Sequence, residues 1–180
     1  MRWEEHLFAV FDDLEQQAEG LALVERDTEV AELARAGYAE VDLVARLHAS
    51  VGADVGVDLA GCDAVRGRLC RVGADWFLLA AGPLEWIVRL PAVMSVRGLS
   101  ERALGPEARG LGARLGLGSA LRGVAEGRHE VVLHRIDGRR VEGVLARVGA
   151  DFVELSVRAE QAAPVTAAVP FGAVAAVCRR

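Results

Sequence analysis

Apolar residues recur at every second position in two separate stretches of this chain. Val55 to Leu59 and Val65 to Leu69 alternate in this way, and Val131 with Leu133 begins a similar pattern later. A period of two is typical of strands that bury one face. The pattern predicts five strands in each stretch, at about 54–59, 64–72, 75–80, 85–90 and 93–97, and at about 129–136, 140–148, 151–157, 165–170 and 174–178.

The two stretches are copies of one another. Residues 65–79 (VRGRLCRVGADWFLL) align without a gap with residues 141–155 (VEGVLARVGADFVEL), and nine of the fifteen positions are identical. The numbering shift is 76 there and 81 at the last strand, so five extra residues lie in the second copy, most simply within Ser156 to Pro164. This internal duplication predicts that the fold contains two copies of one structural unit.

Glycines mark the turns of each copy. Gly61 in the first copy and Asp137-Gly138 in the second supply the turn chemistry between strands one and two. Gly73 and Gly149 fall between strands two and three, where we expect a bend that requires a residue tolerant of positive φ. Five short strands in about 50 residues must curl strongly, which predicts a small barrel for each copy.

Helix-forming segments precede the strands. Residues 1–41 are predicted to form an acidic amphipathic helix. Residues 42–97 would hold the first barrel with its leading helix, residues 98–118 a Gly-rich linker, and residues 119–180 the second barrel with its leading helix. The apolar positions of the N-terminal helix are Leu7, Phe11, Leu14, Ala18 and Leu21, and we expect the first three to pack against a partner helix or a barrel surface.

Charge is distributed unevenly along the chain. The net charge is −5, but residues 1–50 carry 4 Arg against 12 acidic residues, whereas residues 51–180 carry 17 Arg against 14. A sequence pI near 5.4 does not favour a dedicated nucleic-acid binder, although the acidic segment partly hides a mildly basic body. No apolar run is long enough to cross a membrane, and acidic residues interrupt the start of the chain, so we predict a cytoplasmic protein without a membrane partner.

The order of motifs resembles that of the Sm-like superfamily: a short helix, a strand, an Asp-Gly turn, an apolar-x-Gly-x-apolar strand and an Asp that opens strand three. The matching residues are Gly138, Val141, Gly143, Leu145, Asp151, Phe152 and Leu155 in the second copy, and Val65, Gly67, Leu69, Asp75, Trp76 and Leu79 in the first. The resemblance covers about 130 of 180 residues and is greatest to the bacterial branch, the Hfq RNA chaperones. The same pattern is similar to other bacterial SH3-like barrels, such as the C-terminal domain of the ribosome maturation factor RimP. It implies a mainly β fold with an N-terminal α-helical segment and two tandem five-stranded Sm-like or SH3-like barrels.

The RNA-binding motifs of that superfamily are missing. Hfq proteins carry a Tyr-Lys-His group before the closing strand, and here those places hold Arg89 to Pro91 and Pro170 to Gly172. Sm proteins of the archaeal and eukaryotic type bind a base through an Asn, and this chain contains no Asn. The resemblance therefore supports the fold without supplying an RNA site.

Candidate chemistry is sparse. The three cysteines, Cys62, Cys70 and Cys178, show neither a CxxC motif nor zinc spacing, and no histidine has a partner in a recognisable catalytic arrangement. Asp75 and Asp151 are expected to accept backbone N–H bonds within their own turns. We therefore predict a protein that is not an enzyme, with no catalytic, cofactor or metal site.

Arginines on the strands give the only candidate binding surface. The residues are Arg66, Arg68 and Arg71 in the first copy and Arg139 and Arg147 in the second. They would form a solvated strand face or, alternatively, a weak surface for phosphates or an acidic partner.

These observations favour a non-enzymatic binding or scaffold protein that self-associates through strand edges and also accepts a protein partner. The alternative is an RNA-binding Sm-like protein that uses the Arg-bearing faces. Because strand four of one Sm-like barrel pairs with strand five of the next, the resemblance implies that residues 93–97 meet residues 165–170 within the chain. The remaining edges would support a homodimer or a larger closed assembly.

Overall fold

The computed structural model describes residues 32, 35–157 and 165–179, in two units that divide between Val41 and Asp42. Residues 35–39 of the first unit are helical. The apolar positions predicted for the N-terminal helix, Leu7, Phe11, Leu14, Ala18 and Leu21, lie outside the described residues.

The second unit, residues 42–180, holds both repeats. Its helices are α1 (Leu43–Ala49) and α2 (Leu117–Glu126), and short 3-10 turns cover Leu90–Ala92, Pro106–Ala108, Leu111–Arg114 and Phe171–Ala173. The strands are β1 (Asp54–Leu59), β2 (Cys62–Val72), β3 (Trp76–Ala81), β4 (Leu84–Arg89), β5 (Val93–Arg97), β6 (Glu130–Arg135), β7 (Arg140–Val148), β8 (Phe152–Val157), β9 (Val165–Pro170) and β10 (Val174–Arg179). Every predicted strand is present, with its ends within two residues of the prediction.

The ten strands form one open antiparallel sheet in the order β5-β1-β2-β3-β4-β10-β6-β7-β8-β9. The predicted mainly β class is therefore confirmed. In each repeat the fifth strand pairs back with the first, so the same five-strand order occurs twice. The repeats are joined where β4 pairs with β10.

The repeats keep the same strand register. Val55 lies opposite Gly67 in the first, and Val131 lies opposite Gly143 in the second. Strand two of each repeat also contains a register shift at the same place, between Leu69 and Arg71 and between Leu145 and Arg147. A bulge there explains why the buried residue after Leu69 is Val72, three positions on rather than two.

Gly67 and Gly143 are required by the close approach of a neighbouring strand. A Cβ atom at Gly67 would lie within 3.0 Å of the Ala80 carbonyl oxygen, and one at Gly143 within 3.0 Å of the Ser156 carbonyl oxygen. Because backbone atoms cannot move aside as a flexible side chain does, any larger residue would separate the strands.

The glycines between strands correct one prediction and confirm another. The prediction of positive φ at Gly73 and Gly149 is wrong, because neither glycine adopts it. Their Cβ atoms would instead collide with the rings of Trp76 and Phe152, so the aromatic residue three positions later requires glycine. The turn glycines Gly61 and Gly138 do adopt positive φ, at 66° and 85°.

Each repeat has its own hydrophobic core, and each core takes residues from the other repeat. The first is built from strand residues of β1 to β4 with Leu47 of α1, and it also includes Ala176 of β10. The second is built from β6 to β10 with Leu121 of α2, and it also includes Trp76 and Ile87. The two repeats are therefore coupled by packing as well as by backbone pairing.

The segment between the repeats is held at both ends, although its glycine content predicts a flexible linker. At its start the Arg46 guanidinium donates to the Ser100 carbonyl at 2.8 Å. At its end the Trp76 indole donates to the Leu115 carbonyl at 2.8 Å. The Asp75 carboxylate accepts from the Leu117 N–H at 2.7 Å and so caps α2. The prediction that Asp75 bonds within its own turn is wrong, because its carboxylate bonds to the helix of the second repeat.

Candidate interaction edges

The junction between the repeats uses strand four of the first and strand five of the second. In β4 and β10, Ile87 lies opposite Val177 and Val88 opposite Ala176. The repeats therefore pair edge to edge within the chain, as predicted, but the predicted choice of strands, 93–97 with 165–170, is wrong. Those two strands, β5 and β9, are the outermost strands of the sheet.

Composition explains which fifth strand lies inside. In β10 the residues from Val174 to Cys178 are all buried, whereas β5 has no fully buried residue. A strand covered on both faces needs a continuous apolar run, and AVAAVC supplies one where the first repeat has AVMSVR. This difference between the copies is a signal in the sequence that favours β10 over β5 as an interior strand.

The two outermost strands each expose apolar surface. Met94 of β5 is 64% exposed and Val165 of β9 is 58% exposed. Among the strands that the structure describes, each of these two pairs on one side only, with β1 and with β8 respectively. Unpaired N–H and C=O groups beside exposed apolar side chains are the features of an edge that accepts another strand.

Both outer strands also carry groups that limit indiscriminate pairing. On β5 the Arg97 guanidinium donates to Asp58 of β1 at 2.7 and 2.9 Å, and the Ser95 hydroxyl donates to the same carboxylate. These two donors lower the pKa of Asp58, so the pair stays charged at neutral pH. On β9, Pro170 ends the strand and offers no N–H.

The five arginines predicted as a surface do not lie on one patch. Arg66, Arg68 and Arg71 are all exposed on β2. Arg139 and Arg147 are also exposed, but Arg139 lies just before β7 and Arg147 lies near its end, roughly 25 Å apart at about 3.3 Å per residue. The structure thus groups the first three and separates the last two.

Equivalent arginines of the two repeats have different neighbours. Arg147 lies opposite Glu154 on the adjacent strand, and their side chains form an ion pair at 2.6 Å. Arg71 occupies the same position in the first repeat, but the residue opposite is Leu78. Within the described residues, no acidic side chain forms an ion pair with Arg71.

Cys62 and His134 form a contact that the sequence analysis missed. The Cys62 sulfur lies 3.5 Å from His134 Nδ1. The contact lies in a cleft of about 580 Å³ at which the β1–β2 turn of the first repeat meets the β6–β7 turn of the second. The Trp86 ring lies beside the imidazole, with 5.0 Å between ring centroids. The residues are 72 positions apart in strands not predicted to be neighbours, so no local motif could indicate the contact.

The electrostatics of this contact do not activate the thiol. Burial and the nearby Asp63 carboxylate raise the pKa of Cys62. Burial and the Arg140 guanidinium lower the pKa of His134. Both shifts favour a neutral thiol beside a neutral imidazole, which is the opposite of the thiolate and imidazolium that characterise reactive cysteines.

Within residues 35–157 and 165–179, no cluster of His, Cys, Asp and Glu side chains is suited to holding a metal ion. The helices of the same residues are too short or too polar to cross a membrane. The chain matches no protein-family model and no curated protein sequence.

Proposed function

We propose that each repeat is an Sm-like barrel unit and that the protein is a non-enzymatic, cytoplasmic scaffold or binding protein that assembles through its outer strands. The observation that carries this proposal is the type of edge left free. The junction within the chain joins a fourth strand to a fifth strand. The free edges are again a fifth strand, β5, and a fourth strand, β9.

The same kind of junction can therefore form between chains. With the shift of 81 between the repeats, Ala168 corresponds to Ile87 and Val96 corresponds to Val177. A second chain would place its Val96 opposite Ala168, repeating the pairing of β4 with β10. Such a contact is head to tail, so it closes into a ring or extends into a filament depending on the rotation between chains.

The contact between chains is expected to be weaker than the junction within the chain. Trp86 and Ile87 line the inner junction, whereas the corresponding residues of β9 are Ala167 and Ala168. Smaller side chains bury less apolar area, and burial contributes about 25 cal/mol per Å². We therefore expect assembly that depends on protein concentration.

The test is the mass of the full chain by sedimentation velocity over a range of concentrations. The mass should rise to a multiple of the 19.1 kDa chain. Ala168→Lys should hold the protein as a monomer, because Ile87, the equivalent residue, is buried at the inner junction. Thr166→Lys is the matched control, because Glu85, its equivalent, stays exposed.

Two outcomes would contradict the proposal. One is a wild-type chain that stays monomeric at high concentration. The other is an assembly that Ala168→Lys and Thr166→Lys affect equally, since the contact would then not repeat the inner junction. Circular dichroism of both variants checks that each remains folded.

The alternative function, RNA binding, is favoured by the exposed arginines of the first repeat. Gly56 has no side chain, and the Arg66 side chain approaches its Cβ position to within 3.9 Å from the adjacent strand. Binding to mixed single-stranded RNA should weaken steeply with salt if these groups contact phosphates. Arg66→Gln with Arg68→Gln should reduce that dependence, and Arg147→Gln, whose guanidinium is paired with Glu154, should not.

A further inference from the structure

A cavity of about 420 Å³ lies between the sheet of the first repeat and helix α2 of the second. Its size and its mainly apolar lining are those of small-molecule sites. The sheet contributes Trp76, Leu78 and Ile87, and the helix contributes Ala120, Gly123 and Val124.

The helix wall contains a glycine that packing does not require. A Cβ atom at Gly123 would meet no atom within 4 Å, and the residue does not have positive φ. Glycine weakens the interior of a helix relative to alanine. Its presence here leaves the helix wall of the cavity without a side chain at that position.

Hydrogen bonds within the protein hold the walls together. The Trp76 indole donates to the Leu115 carbonyl at 2.8 Å. The neighbouring Asp75 carboxylate accepts from the Leu117 N–H at 2.7 Å. These two hydrogen bonds join β3 to the start of α2, so the cavity is preformed and a ligand would not have to order it.

One cation at the rim is available to a ligand. Arg71, Arg179 and Glu85 all border the cavity. Glu85 forms an ion pair with Arg179 at 3.2 Å, so these two charges compensate each other. Arg71 lies opposite Leu78, where the second repeat places Glu154 opposite Arg147, and it has no ion-pair partner in the described part of the chain.

We propose that this cavity binds a small amphiphilic carboxylate. The apolar part fills the space between Trp76 and Gly123, and the carboxylate pairs with the Arg71 guanidinium. A single planar guanidinium matches a single carboxylate in geometry and in charge. Of the charged residues described at the rim, Arg71 alone is uncompensated, and a single cation favours a monoanion over a phosphate with two charges.

The experiment is calorimetric titration of the full chain with octanoate and with 1-octanol, which share an apolar chain and differ in charge. Octanoate should bind more tightly than 1-octanol. Arg71→Gln should weaken octanoate binding by on the order of tenfold, because one charge-assisted contact is lost, and leave 1-octanol binding unchanged. Arg147→Gln, the equivalent substitution in the second repeat, should change neither.

A second pair of variants tests the cavity itself. Gly123→Leu should abolish binding of both ligands by filling the space, whereas Gly123→Ala should retain it. Thermal unfolding of each variant shows whether the fold is intact. Alkylation of Cys70, which is exposed at the cavity, should also slow when octanoate is bound.

Several results would overturn the proposal. They are a wild-type chain that binds neither ligand at millimolar concentration, equal affinity for octanoate and 1-octanol, or equal effects of Arg71→Gln and Arg147→Gln. Octanoate binding that is retained in a folded Gly123→Leu protein would place the ligand elsewhere. Octanoate binding that weakens as the protein concentration rises would show that a second copy of the chain occupies the cavity.

Discussion

The two repeats share an aligned segment of fifteen residues, yet one aromatic position in it is buried in the first repeat and exposed in the second. Trp76 is 5% exposed and Phe152, its equivalent, is 36% exposed. Trp76 packs into the core of the other repeat and bonds to Leu115, whereas β8, where Phe152 lies, is next to the outermost strand. Burial in a duplicated fold therefore depends on which neighbour a repeat has, as well as on its own sequence.

The largest expected difference between the repeats is at this aromatic position. Trp76→Ala should lower the free energy of unfolding by about 3–5 kcal/mol, the usual cost of removing a buried aromatic side chain. Phe152→Ala should cost less, about 1–2 kcal/mol, because about a third of this residue is already exposed. Urea denaturation measures both. Equal losses would mean that the two positions are equally buried in solution.

The next effect should be the same in both repeats. Gly67→Ala and Gly143→Ala should each cost about 1–3 kcal/mol, because the added methyl group meets a carbonyl oxygen of the adjacent strand. Gly123→Ala is the control and should raise the free energy of unfolding by about 0.5–1 kcal/mol, since its Cβ meets nothing. Chemical denaturation of the three variants distinguishes close approach from a general effect of alanine. If only one of Gly67→Ala and Gly143→Ala had a mild effect, strands two and three would not pair in the same register in the two repeats.

A smaller difference is expected at the aspartate that opens strand three. Asp75→Ala should cost about 1 kcal/mol, because the helix cap at Leu117 is lost. Asp151 is exposed, and Asp151→Ala should cost a few tenths of a kcal/mol. Thermal unfolding of the two variants measures this difference. A cost for Asp151→Ala that matches the cost for Asp75→Ala would contradict the cross-repeat cap.

The smallest expected effect is on the pH dependence of the free energy of unfolding. Asp58 and His134 are equivalent at the shift of 76, but they should affect stability in different pH ranges. Burial and Arg140 lower the pKa of His134 below its ordinary 6.5, so the unfolded chain takes up a proton first as pH falls. Stability should therefore decrease as pH falls below 6.5. The bonds from Arg97 and Ser95 lower the pKa of Asp58 below 3.8, so its contribution is complete above that pH and is lost as pH falls through the lower folded value.

Unfolding by urea at a series of pH values checks this assignment. His134→Gln should reduce the loss of stability on going from neutral to mildly acidic pH, leaving the contribution of His48, whose pKa burial also lowers. Asp58→Asn should alter the dependence only in the more acidic range. A His134→Gln protein with the wild-type dependence near pH 6 would show that His134 is not desolvated.

Much of the fold could be predicted because it is encoded locally. Alternation predicted the ten strands, and Gly61 and Gly138 marked turns that do adopt positive φ. The need for Gly73 was recognised, but the reason was wrong, because ring packing by Trp76 is not visible in a pattern of turn residues. The Cys62–His134 contact could not be predicted, since the side chains meet only after the repeats pair.

The sequence by itself established the duplication and predicted the strands and the turns between strands one and two, because these depend on residues that are near one another or on identical motifs. Only the tertiary structure settled which edges join, since the continuous apolar run of the second fifth strand favours burial of that strand but does not specify which distant strand it pairs with. The choice of β4 with β10 depends on contacts between residues about 90 positions apart, such as Val88 opposite Ala176. β10 is buried from Val174 to Cys178 and the bulky Ile87 of β4 lies opposite it, so we expect this pairing to bury more apolar surface than the smaller residues of β9 would.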